Sequence, residues 1–122
     1  MAKTILLVED EEMLLKSIEE HFRKSGFDVV TASNGNEALT QAKEHRPDLV
    51  LLDIVLPQKS GLEVLQEMRA DKNLHYIPVL MLTNLDDEQT ISQAVALGAR
   101  GYILKADIEL KEIVAKVKEI LK

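Results

Sequence analysis

The 122-residue chain contains no cysteine, which excludes a disulfide framework, a thiolate nucleophile and a zinc-thiolate site together. It has no basic block. Fifteen Lys and Arg stand against twenty-one Asp and Glu, a formal net charge of -6, so direct contact with nucleic-acid phosphates is disfavoured. No apolar run approaches the roughly 18 residues of a membrane span, and the stretch Ile5-Leu6-Leu7-Val8 behind Met1-Ala2-Lys3-Thr4 is too short for a signal sequence. Sequence repeats, low-complexity segments and interdomain linkers are absent as well. These absences point to a soluble, cytoplasmic protein with neither membrane nor nucleic acid as a direct partner. What is present is 46% hydrophobic residues in a chain of common domain length, enough to fill one core without staples, so residues 1–122 are expected to form a single domain.

The apolar residues come in two alternating patterns. Ile5-Leu6-Leu7-Val8, Val29-Val30, Leu49-Val50-Leu51-Leu52, Val79-Leu80-Met81-Leu82 and Tyr102-Ile103-Leu104 are short runs of the kind that form strands buried on both faces. Between them stand helical stripes: Leu14, Ile18 and Phe22 ending at Gly26; Ala38, Leu39 and Ala42 closed by Pro47; Leu62, Leu65 and Met68; Ile91, Ala94, Val95 and Leu97 ending at Gly98; and Leu110, Ile113, Val114, Val117, Ile120 and Leu121. Asn34-Gly35 reads as a turn. Met13, Met68 and Met81 fall on apolar faces and read as core. The alternation predicts an α/β fold, a flavodoxin-like doubly wound sheet of five parallel strands in the order 2-1-3-4-5 with five helices.

Open parallel sheets bind ligands beyond the carboxyl ends of their strands, so the residues that break the apolar runs matter most. They are Glu9-Asp10, Asp53, Thr83-Asn84 and Lys105. In the expected order the first and third strands are neighbours, which brings Asp10, Asp53 and Glu9 together. Such a cluster repels itself unless a cation sits in it, and hard oxygen ligands suit Mg2+. An exposed aspartate held against Mg2+, with a lysine and a hydroxyl from the next strands, is equipped to attack a phosphoryl group: Asp53 as nucleophile, Lys105 and Thr83 holding phosphoryl oxygens, backbone N–H groups after Asp53 or at Asn84 completing the cradle. Each residue also has a structural reading. Glu11 and Glu12 suit a helix dipole, Asp10 an N-cap, Asp53 a turn, Thr83 with Asp86 a capping pair, and Lys105 a solvated surface. His21, His45 and His75 are scattered and form no ligand pair.

Taken in order, Ile5-Leu6-Leu7-Val8-Glu9-Asp10-Glu11, Asn34-Gly35-Asn36-Glu37-Ala38-Leu39, Pro47 through Pro57, Gly61, Pro78-Val79-Leu80-Met81-Leu82-Thr83, Gly98-Ala99 and Tyr102-Ile103-Leu104-Lys105 resemble the receiver domain of two-component response regulators. The resemblance spans essentially the whole chain. It implies that Asp53 is the phosphoacceptor, Asp10 the principal Mg2+ ligand, Glu9 a second acid acting through water, and Val55 the residue whose backbone carbonyl binds the metal. Thr83 and Lys105 would engage the phosphoryl group, and Tyr102 would be the aromatic whose rotamer follows the threonine, with core filling as the other reading of Tyr102. It further implies a sensor histidine kinase or phosphotransfer protein as donor, and a downstream partner or output domain bound through the face made by helix 4, strand 5 and helix 5. The chain would catalyse its own aspartyl phosphorylation and dephosphorylation without turning over a separate substrate. Monomer and dimer, and a stand-alone receiver or one within a longer chain, are all compatible with this.

Two departures stand out. Ala106 follows Lys105 where the family has proline, so the peptide bond there is expected to be trans. Asn84 follows Thr83 where a small residue is usual. The competing function, a pseudo-receiver never phosphorylated and acting as a constitutive protein-binding module, draws on Ala106. A flavin-binding domain fits poorly because the loop after strand 1 is acidic, and an aspartyl phosphatase fits poorly because Glu12 stands where its second acid would be.

Overall fold

The computed structural model describes residues 2–84, 88–107 and 109–122; Asp86, half of the Thr83/Asp86 capping reading, lies outside them. The strands are β1 (Thr4–Val8), β2 (Asp28–Ala32), β3 (Leu49–Asp53), β4 (Val79–Thr83) and β5 (Gly101–Leu104). Between and after them come α1 (Glu12–Lys24), α2 (Gly35–His45), α3 (Gly61–Ala70), α4 (Glu88–Ala96) and α5 (Leu110–Ile120), with a 3-10 turn at Lys105–Asp107. All four strand pairings are parallel and the order is β2-β1-β3-β4-β5, as the alternation of runs and stripes predicts.

The strands separate two apolar layers because successive side chains point to opposite faces. Ile5, Leu7, Leu49, Leu51, Leu80, Leu82 and Ile103 pack with Ile18 and Phe22 of α1 and Ile113, Val114 and Val117 of α5. Leu6, Val8, Val50, Leu52, Val79 and Met81 pack with α2, α3 and Ala94 of α4. Gly26 and Gly98, at φ 95° and 88°, let the chain reverse after α1 and α4 in a conformation that costs other residues energy.

Some local expectations are overturned. Asn34-Gly35 is a helix start: the Glu37 N–H donates to Asn34 Oδ1 at 2.8 Å, and Glu37 Oε1 accepts from the Ser33 N–H at 3.3 Å, a capping arrangement that recruits the asparagine away from a turn. Met13 is 84% exposed, because it shares a helix face with exposed Ser17, Glu20 and Lys24 and not with Leu14, Ile18 and Phe22; Met68 and Met81 are buried as expected. Residue 10 is not the N-cap of α1; Glu11 holds that position without a side-chain bond. In α4 only Ala94 is buried, and Val95 is exposed.

Arg69, near the end of α3, joins distant segments. Its guanidinium donates to the carbonyls of Leu97 (2.9 Å), Gly98 (3.2 Å), His75 (3.0 Å) and Ile77 (3.0 Å), binding the turn after α4 to the connection before β4. Burial, and then Arg100 nearby, lower its pKa from the usual arginine value, yet an arginine stays charged.

Candidate phosphoacceptor site

The two-residue period of the strands decides which strand-end side chains meet. Val8 pairs with Leu52, and Asp53 with Leu82, so Glu9 follows Val8 to the level of Asp53. Glu9, Asp53 and Lys105 are an even number of residues from Leu7, Leu51 and Ile103, and therefore share the α1/α5 face. Thr83 and Tyr102 have the opposite parity, that of Met81, and belong to the face carrying α2, α3 and α4. The strand ends thus hold two groups: a charged cluster on one side of the sheet and a Thr83/Tyr102 pair on the other.

In the charged cluster, Lys105 Nζ donates to Asp53 Oδ2 at 2.8 Å and forms a second ion pair with Glu9 Oε1. Asp53 Oδ1 accepts from the Val55 N–H at 3.2 Å, and Glu9 Oε2 from the Glu11 N–H at 3.2 Å. The Val55 N–H thus serves the Asp53 carboxylate itself. Contrary to the expectation of an exposed carboxylate, Asp53 is only 3% exposed and Glu9 is wholly buried. Asp10 is the exposed member. Burial pulls the Lys105 pKa down, but hydrogen bonds and charge from Asp53 and Glu9 outweigh that, and the ammonium is held above its ordinary value of 10.5. Its stem lines a small cavity with Leu14, Ile18, Leu82, Leu110 and Ile113, which accounts for the desolvation. Among the described residues no peptide bond is cis, so Lys105 reaches Asp53 with Ala106 in place of proline.

One carboxylate oxygen from each of Glu9, Asp10 and Asp53 lies within 4.8 Å of the others. Three acids facing one lysine leave the cluster negative, and the buried Glu9 and Asp53 carboxylates share that single ammonium, a cost that a bound cation removes. An all-oxygen donor set of this kind fits a hard divalent ion such as Mg2+. The histidines take no part: His75 Nδ1 meets the carbonyl of Lys72, and the acidic group contains no histidine.

Thr83 is fully buried, whereas Tyr102 is 42% exposed, so the tyrosine does not fill core in this conformation. Asn84 and Val55 are exposed at the rim. Two glycines matter more than their roles as punctuation suggest. A Cβ on Gly61 would lie 2.1 Å from the Asp53 carbonyl oxygen, and one on Gly35 would lie 2.1 Å from the carbonyl oxygen of Lys59. Both allow backbone to press against the β3–α3 loop. The signal available in the sequence was a glycine shortly after a strand-end acid.

These features define a class, a flavodoxin-like domain with an acidic, lysine-bridged pocket at the point where the strand order reverses. The chain belongs to the receiver domains of two-component response regulators, since residues 5–118 match the response regulator receiver domain family. It is 41% identical over 122 residues to the alkaline phosphatase synthesis transcriptional regulatory protein PhoP of Bacillus subtilis, covering 100% of this chain and 50% of that protein. It is 39% identical over 124 residues to the polar-differentiation response regulator DivK of Brucella anthropi, covering 99% of this chain and 98% of that one. The chain therefore spans half of the first relative and nearly all of the second. Among solved structures, a putative response regulator from Chloroflexus aurantiacus superposes with a TM-score of 0.91 at 31% identity, covering 99% of this chain and 98% of that one. The BeF3-activated N-terminal receiver domain of Klebsiella pneumoniae RstA superposes at 0.88 and 31%, covering 98% of each. Among the described residues, no helix is long and apolar enough to cross a membrane.

Proposed function

We propose that residues 1–122 act as one phosphorylation-controlled switch, with Asp53 accepting a phosphoryl group from a histidine of a sensor kinase or phosphotransfer protein. The observation that carries this is Lys105 Nζ at 2.8 Å from Asp53 Oδ2, with Glu9 and Asp10 in the same cluster. An Asp53 oxygen forms the new P–O bond as the P–N bond to the donor histidine breaks. The Val55 N–H holds Asp53 Oδ1 and so fixes the rotamer, while Lys105 remains beside the charge that arrives. Glu9, Asp10, Asp53 and the Val55 carbonyl would hold Mg2+, which when bound neutralises phosphoryl oxygens. The same groups would serve hydrolysis of the aspartyl phosphate, so the chain acts on itself and on no separate substrate. The absence of cysteine fits the reducing cytoplasm in which we place it.

Switching follows from the division of the strand ends between two faces. Thr83 and Tyr102 lie across the sheet from the acidic cluster, so a new charge at Asp53 that draws the Thr83 hydroxyl toward it withdraws that group from the α4 side. Tyr102, half out in solvent, then has room to turn inward, altering the α4–β5–α5 face offered to a downstream protein or output domain.

Intact-mass spectrometry after incubation with a small acyl-phosphate donor tests the chemistry. A Mg2+-dependent gain of one phosphoryl group, lost in Asp53→Asn, is expected. No gain from that donor or from a cognate kinase would favour a constitutive binding module, the reading that Ala106 supports. Thr83→Ala should accept the group while losing most of the affinity difference between its two states for a partner; an unchanged difference, by calorimetry, would refute the coupling.

A further inference from the structure

The first turn of α2 contributes no residue to the acidic cluster, yet it touches the loop that follows Asp53 at three successive residues. The Gly35 N–H points to the Pro57 carbonyl at 3.4 Å. The Asn36 side-chain amide donates to Gln58 Oε1 at 2.9 Å. Gly35 itself lies so close to Lys59 that a Cβ would meet its carbonyl oxygen at 2.1 Å and its Cβ at 2.5 Å. Gln58 has φ 70°, a left-handed conformation that a non-glycine residue holds only when its surroundings enforce it. On the other side, Lys59 forms an ion pair with Glu67 of α3, and the Gly61 N–H donates to the Ile54 carbonyl at 2.8 Å. The loop is thus clamped between two helices, and its near end carries the Val55 N–H that bonds Asp53 Oδ1.

We propose that Gly35, through Pro57 and Lys59, and Asn36, through Gln58, are positioning residues for phosphoryl transfer at Asp53. Their contacts set the course of residues 55–59, and hence where the Val55 N–H and carbonyl stand relative to the carboxylate. Asn36 and Gln58 are exposed, so their bond adds little to global stability; its effect is on loop geometry, to which reaction rates are far more sensitive. The inference rests on the reading of Asp53 as phosphoacceptor. It adds an element, α2, that the strand-end chemistry does not require.

The test uses the whole chain and two readouts. The first is the rate of phosphoryl gain by intact mass at saturating Mg2+ and donor, at a temperature where circular dichroism shows each variant folded. Asn36→Ala and Gln58→Ala should each slow it about threefold, with the double variant no slower than either single one, since both remove the same bond. Gly35→Ala should slow it about tenfold. Asn36→Asp should recover most of the loss, because its carboxylate can accept from the reversed Gln58 amide. The second readout is the Val55 amide NMR resonance in Mg2+-free, unphosphorylated protein, which should shift in Asn36→Ala and return toward its original position in Asn36→Asp. Wild-type rates and an unmoved Val55 resonance would overturn the proposal, as would a Gly35→Ala loss matching its unfolded fraction alone. A wild-type chain that takes up no phosphoryl group would refute the function of Asp53, while the Val55 resonance would still decide whether α2 positions the loop.

Discussion

α3 and α4 lie side by side on one face of the sheet and feed the same apolar layer, but they are held very differently. α3 buries Gly61, Val64, Leu65 and Met68 in ten residues; α4 buries Ala94 alone in nine. The strands they flank show the same contrast. All five residues of β3 are buried, whereas in β5 only Ile103 is. α3 follows Asp53, the proposed phosphoacceptor, and α4 belongs to the proposed output face. The proposed chemistry, which depends on atomic positioning, falls where burial restricts movement. The proposed readout is placed where few apolar contacts oppose a shift, with the end of α4 secured mainly through Arg69 and backbone carbonyls.

The strongest challenge to this contrast is Leu65→Ala, which should cost about 3–5 kcal/mol in denaturant unfolding, since the side chain is wholly buried and leaves a cavity. A cost under about 1 kcal/mol would show that α3 is no better anchored than α4. Lys105→Ala comes next. Without Mg2+ it leaves Glu9 and Asp53 buried together and should cost about 3 kcal/mol, with millimolar Mg2+ restoring most of it. Because the folded-state pKa of Lys105 is raised, the lysine's contribution is fully present below its unfolded-state value and lost as pH rises through the folded one. The Mg2+-free difference between wild type and Lys105→Ala should thus stay flat from about pH 6 to pH 9 and shrink only in stronger alkali; a difference that vanished near neutrality would contradict the ion pairing. The smallest effect is expected on α4, where Val95→Ser should change stability by less than about 0.5 kcal/mol. A loss comparable to that of Leu65→Ala would remove the contrast.

The strands and the polar residues at their ends were legible because both are written locally. A four-residue apolar run stopped by an acid needs no distant information to be recognised, and Glu9, Asp10, Asp53, Thr83 and Lys105 all stand at or immediately beyond such ends. Local reading failed where the outcome depended on a neighbour distant in the chain. Asn34-Gly35 has turn composition, yet Glu37 closes it as a helix cap and Lys59 sits against the glycine. Arg69 has no local signal of its role, since its four carbonyl partners come from segments brought together only by the fold.

Local pattern alone therefore determined the order of elements and the inventory of reactive groups, since hydrophobic period and strand-breaking polar residues act over a few neighbouring positions. Tertiary structure decided the environment of that inventory. Parallel pairing of β1 with β3 buried Glu9 and Asp53 beside Lys105, and the two-residue period sent Thr83 and Tyr102 to the other face. α2 was brought against a loop more than twenty residues away, as in the Asn36–Gln58 bond at a separation of 22. Burial, charge pairing and backbone contact at that range are properties of strand order and packing, which no short stretch of residues contains.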